Sequence, residues 1–146
     1  MIGIIMGSSS DMDVMIEAEK ILKELGIPCD VTVASAHRNP DKVAEYAKGA
    51  EKKYDCIIAG AGKAAHLPGV IAGHTSLPVI GVPIKTSDLG GLDSLLSIVQ
   101  MPKGVPVATV AINGAQNAGI LAAQIVAVKD SAVRATVKKY KESLKG

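Results

Sequence analysis

The chain predicts an α/β fold: a three-layer α/β/α sandwich with a central parallel sheet, plus a C-terminal helix. Three observations carry this. Short apolar runs rich in Ile and Val alternate with stretches of helical period along all 146 residues. The connections are short, so strand follows helix follows strand, which makes neighbouring strands parallel and covers the sheet on both faces. The chain is 48% hydrophobic and only 21% charged, enough apolar material for one domain, residues 1–146, with a real core.

The elements follow in order. Ile2–Met6 is a continuous apolar run and reads as the first strand. Residues 11–25 place Met12, Met15, Ile16, Ile21, Leu22 and Leu25 on one helical face, and Gly26 stops the helix. Residues 29–34 form the second strand, and 40–53 a charged amphipathic helix opened by Pro40, which suits a first helical turn. Strand three is 56–59, followed by a short helix over 66–75 and strand four over 79–82. A helix over 92–100, strand five over 107–111 and an Ala-rich buried helix over 117–128 come next. The last helix, 130–144, is polar enough to lie outside or reach a neighbouring subunit.

Composition removes several function classes. The net charge is only +2, with no Trp, no Phe and three Tyr, so neither a basic stripe nor an aromatic platform exists for nucleic acid. No apolar run spans a bilayer, and Met1 to Met6 is too short and uncharged for a signal peptide. Cys29 and Cys56 lie in strands, far apart, with no CxxC; they read as reduced core thiols of a cytoplasmic protein. No set of residues has metal-ligand spacing. Between Gly60 and Val128 the only charged residues are Lys63, Lys85, Asp88, Asp93 and Lys103. Such a stretch suits the centre of the sheet and helices buried between subunits, so the chain is expected to form a compact homo-oligomer.

In parallel α/β folds ligands bind at the carboxyl ends of the strands, which selects three loops. Gly7-Ser8-Ser9-Ser10-Asp11 leads into a helix with amides and hydroxyls that attract anions. Two roles are open to Asp11: an N-cap, or acceptance from a ribose diol. Ser35-Ala36-His37-Arg38-Asn39 sets an imidazole, which moves protons near neutral pH, beside a guanidinium that grips phosphate or carboxylate. Gly60-Ala61-Gly62-Lys63-Ala64-Ala65-His66 fits G-x-G-x-x-A, but it follows the third strand and lacks the acidic partner of a dinucleotide site. As a P-loop it also fails, with Ile57 and Ala64 at the required Gly and Ser/Thr positions. It remains a small-residue loop that lets a ligand approach backbone amides. Lys63 is either a solvated charge or a site residue; His66 caps a helix or touches ligand; His74 reads as structural. No G-x-S-x-G elbow supports a hydrolase.

Six segments, Gly7-Ser8-x-Ser10-Asp11, Ser35-Ala36-His37-Arg38, Ala59-Gly60-Ala61-Gly62, Ala64-Ala65-His66-Leu67-Pro68-Gly69, Leu77-Pro78-Val79-Ile80-Gly81-Val82-Pro83 and the run from Asp93 to Pro102, occur in this order. Together they resemble the N5-carboxyaminoimidazole ribonucleotide mutase (PurE) family of purine biosynthesis. The resemblance implies a flavodoxin- or Rossmann-like domain, assembled as a homo-octamer with sites shared between subunits. It implies an isomerase that moves a carboxylate from the exocyclic nitrogen of N5-carboxyaminoimidazole ribonucleotide to C4 of the ring, through trapped CO2, with no metal, ATP or organic cofactor.

By the same resemblance, phosphate and ribose contacts fall on Ser8, Asp11 and Arg38, and the general acid/base on His37. Ser10, Ser35 and Ala36 join the substrate set. Gly60, Ala61, Gly62, Lys63, His66 and Leu67 would line the carboxylate and CO2 pocket. Lys63 departs from the family by standing where a second glycine is common, and Asn39 replaces a common Thr. Gly146 ends the last helix early. A second branch, which carboxylates aminoimidazole ribonucleotide directly, tends to carry His-Lys and a Gly-Arg-Ser-Asn-type loop. His37-Arg38 and Gly60-Ala61-Gly62-Lys63 favour the mutase branch over that carboxylase, and over a non-catalytic nucleotide-binding module.

Overall fold

The computed structural model describes residues 1–146. Five strands, β1 (Ile2–Met6), β2 (Cys29–Val33), β3 (Cys56–Gly62), β4 (Val79–Ile84) and β5 (Ala108–Thr109), form one sheet in the order β2-β1-β3-β4-β5. Every adjacent pair is parallel. Six helices connect and flank them: α1 (Met12–Glu24), α2 (Pro40–Gly49), α3 (Leu67–Ala72), α4 (Leu92–Val99), α5 (Ala115–Ala127) and α6 (Ser131–Ser143). None is long and apolar enough to cross a membrane. This is the doubly wound, flavodoxin-like α/β arrangement expected from the alternation of apolar runs.

The core lies on both faces of the sheet because side chains alternate along each strand. Ile4 and Ile58 face α1 and α5, while Ile5 and Ile57 face α2, α3 and α4. β1 and β4 are buried at every residue, which is why they read as unbroken apolar runs rather than alternating ones. Each such Ile contributes about 1.5–3 kcal/mol on full burial. Edge strand β2 is only half-buried. α6 packs on its own chain: Val137 is buried against α5, and the Arg134 guanidinium donates to the Ala127 and Val128 carbonyls at the α5 terminus (2.9 and 2.6 Å). Asp130 opens α6 by accepting from the Ala132 and Val133 amides.

Some boundaries move from the sequence expectation. β3 runs on through Gly60, Ala61 and Gly62, which pair with Val82, Pro83 and Ile84, so the glycine segment is the carboxyl end of a strand rather than a loop. Its small residues let neighbours press close: a Cβ on Gly60 would overlap the Met15 sulfur. β5 is two residues, shorter than 107–111, and α5 starts two residues before 117. α3 is shorter than 66–75. The charge-poor stretch supplies the central strand β4, the largely buried α5 and α4, whose Leu92, Leu96 and Val99 are 56%, 50% and 44% exposed.

Candidate active site

The order in which successive strands are added to the sheet reverses at β1: β2 lies to one side of it, and β3, β4 and β5 to the other. At such a switch point the outgoing loops diverge and leave a crevice at the carboxyl ends. A cavity of about 570 Å³ sits there, lined from the loops after β1, β2, β3 and β4. A larger groove of about 860 Å³ lies at the amino end of the sheet, between Met1, Asp55 and the α5–α6 turn, and gathers no histidine or arginine.

The first wall comes from the turn after β1. Gly7 continues the strand by donating its amide to the Gly60 carbonyl (3.2 Å). Ser8 then caps a single 3-10 turn, Ser9–Asp11, in a reciprocal box: the Ser10 amide donates to Ser8 Oγ, and the Ser8 amide to Asp11 Oδ2 (3.3 and 3.1 Å). The Ser10 hydroxyl also donates to Ser8 Oγ (2.9 Å). Asp11 thus caps this turn and makes no cap bond to α1 itself. Burial raises the Asp11 pKa; the Ser8 amide and the Arg38 charge oppose that rise without cancelling it.

The second wall is the turn after β2. The Asn39 amide donates to the Ser35 carbonyl and the Arg38 amide to Ser35 Oγ (2.8 and 3.2 Å), closing a tight loop. Asn39 then N-caps α2 through the Lys42 amide (3.3 Å), with Pro40 at the start of the helix. His37 and Arg38 are exposed at the cavity, and the Arg38 guanidinium reaches back to the Gly7 carbonyl (3.4 Å). Arg38 therefore bridges the first two loops, next to the hydroxyls of Ser8 and Ser35.

The third wall is the end of β3 and the turn into α3. Ala61, Gly62, Ala64, Ala65 and Leu67 offer small or apolar surface. Lys63 adopts a left-handed backbone (φ 55°) and pairs with Asp88 of the loop after β4. His66 precedes α3, its ring over Gly69 and its Nδ1 3.4 Å from the Ser97 carbonyl of α4. Thr86, beyond the end of β4, closes the cavity, with a hydroxyl that is buried and has no partner.

The AIR carboxylase family description matches residues 1–146. The chain belongs to the AIR carboxylase family. It is 63% identical over 145 residues to the N5-carboxyaminoimidazole ribonucleotide mutase of Thermotoga maritima, covering 99% of this chain and 85% of that protein. It is 58% identical over 132 residues to the phosphoribosylaminoimidazole carboxylase of Candida albicans, covering 90% of this chain and 23% of that much longer protein. The crystal structure of Treponema denticola PurE superposes with a TM-score of 0.90 at 31% identity, covering 99% of this chain and 90% of the other.

In this AIR carboxylase family member, the cavity collects Ser8, Ser10, Asp11, Ser35, Ala36, His37, Arg38, Ala61, Gly62, Lys63, His66 and Leu67. Gly60 is the exception among the residues expected there: it is buried under Met15, gives its carbonyl to Gly7, and does not line the cavity. Sequence reasoning missed Thr86, a lone threonine outside every motif. Only the register of β4 against β3, with Ile84 opposite Gly62, brings it to the site.

Proposed function

We propose that the chain is an isomerase of purine biosynthesis, converting N5-carboxyaminoimidazole ribonucleotide into 4-carboxy-5-aminoimidazole ribonucleotide. The observation that carries this reading is the convergence of His37, Arg38, Ser8, Asp11 and a small-residue strand end on one cavity. Arg38 with Ser8, Ser10 and Ser35 suits the 5′-phosphate, and Asp11 suits the ribose hydroxyls. That remote binding orients the imidazole ring over Ala61, Gly62 and Leu67.

The chemistry then needs little else. The N–carboxylate bond breaks, its electron pair returns to nitrogen, and CO2 is released into the pocket. The small and apolar Ala61, Gly62, Ala65 and Leu67 form the wall against which CO2 is held beside the ring until C4 attacks it. The new carbon–carbon bond leaves a proton on C4. His37 removes that proton, and the exocyclic nitrogen gains one, so the isomerisation is proton-neutral. In the direct carboxylation reading the first step is missing and free CO2 enters instead; Arg38, rather than lysine, beside His37 favours the mutase.

The reading extends to the assembly. The uncovered Leu92, Leu96 and Val99 face of α4 supports a homo-oligomer, an octamer by family resemblance, working in the cytoplasm. The test of the catalytic assignment is His37→Asn. It should bind nucleotide normally and lose turnover by at least about 10²-fold, the usual contribution of a general acid/base. Wild-type turnover in that variant would remove His37 from the mechanism.

A further inference from the structure

We propose that Lys63 receives the migrating carboxylate group, and that Asp88 occupies Lys63 in the free protein as an internal stand-in for that group. This rests on the reading of the cavity as a ribonucleotide site. The substrate of that reading carries two anionic groups, a 5′-phosphate and a carboxylate. The cavity lining carries two permanent cations, Arg38 after β2 and Lys63 after β3, with Asp11 the only carboxylate among its residues. Arg38 stands with the serines; Lys63 stands with the small residues where the imidazole ring and its carboxylate belong.

Three further observations point at Lys63. Its backbone is left-handed, a conformation that glycine adopts without strain and lysine does not, so a cation is held there against local preference. Its present partner is a carboxylate, Asp88, which lies outside the cavity lining. Both side chains of the pair are more than half exposed, and such a pair contributes little, so a substrate carboxylate bound in the cavity can replace Asp88 at small cost.

Thr86 completes the corner. Its methyl packs against Gly62, where a Cβ would stand 2.9 Å from Thr86 Cγ2. Its hydroxyl is buried without a partner, an arrangement that a ligand acceptor relieves. The base of this loop is fixed, with the Lys85 amide on Asn113 Oδ1 (2.9 Å) and the Ser94 hydroxyl on the Ile84 carbonyl (3.0 Å). Its tip carries Asp88, which pairs with Lys63. When the substrate carboxylate takes Lys63, Asp88 is released, and the Thr86 hydroxyl beneath the tip becomes a second donor to the same group.

The test compares two nucleotides that differ by one carboxylate, 4-carboxy-5-aminoimidazole ribonucleotide and aminoimidazole ribonucleotide, by calorimetric titration. Lys63→Gly suits the backbone and should keep its thermal midpoint. It should weaken the carboxylated nucleotide about tenfold and shift the uncarboxylated one by less than about twofold, the loss of one charge-assisted hydrogen bond. Asp88→Asn should tighten the carboxylated nucleotide alone, by up to about fivefold. Thr86→Val should repeat the Lys63→Gly pattern more weakly. Equal shifts for both nucleotides, or none, would reduce the pair to a loop tie and overturn the proposal. If the wild-type chain binds neither nucleotide, the ribonucleotide reading itself fails.

Discussion

Asp11 carries the clearest single-residue conflict at the site. It caps the turn through the Ser8 amide, lies beside Arg38, and is still raised by burial. A carboxyl raised in the folded state stabilises the fold fully below its ordinary pKa, and that contribution is lost as pH rises through the folded value. Ionising Asp11 in the folded chain therefore costs stability. Asp11→Asn is expected to raise the thermal midpoint at pH 7 relative to its effect at pH 4, while weakening nucleotide binding. A midpoint that falls equally at both pH values would show that capping, not ionisation, dominates. Cys56 is a simpler case: burial pushes its thiol up to about 12, so at pH 8 it is neutral and shielded. It should react with a thiol reagent only as fast as the chain unfolds; prompt labelling of Cys56 in the native protein would contradict its burial at the start of β3.

At the scale of elements, most of the architecture was legible. Strong Ile and Val runs marked β1, β3 and β4, and helical periods marked α1 and α2. What misled was glycine. Gly60-Ala61-Gly62 reads as a loop because glycine breaks strands on average, yet here its lack of a side chain lets α1 lie on the strand. Gly60→Ala should therefore cost about 1–3 kcal/mol of stability, the usual penalty of overpacking, and the double variant with Met15→Ala should lose less in a denaturant melt than the sum of the two single losses. Additive losses in the double variant would place the clash elsewhere. The apolar run 107–111 overstates β5, because this edge strand pairs on one side only, through Ala108 and Thr109. The site followed the same division. His37, Arg38, Ser8 and Asp11 were legible because they sit in loops directly after strands. Thr86 was not, since its position depends on strand pairing rather than sequence neighbours. Lys63 was visible as a residue, but its pairing with Asp88, twenty-five positions on, was not.

At the scale of the whole molecule, two properties that look unrelated share one cause. The charge-poor centre of the chain builds the buried β3 and β4 that end at the cavity, and it also leaves α4 with an apolar outer face. If the chain forms the proposed homo-oligomer through that face, Leu96→Glu, at its middle, should give smaller species than the unsubstituted chain in size-exclusion chromatography with light scattering. An unchanged mass would remove α4 from the proposed interface. The measurement that bears most directly on the whole account is turnover by the purified chain without ATP, given each nucleotide separately. The account predicts rapid conversion of N5-carboxyaminoimidazole ribonucleotide to the 4-carboxy product, and little carboxylation of aminoimidazole ribonucleotide at physiological CO2. Rapid carboxylation of the second nucleotide, with the first left unused, would contradict it.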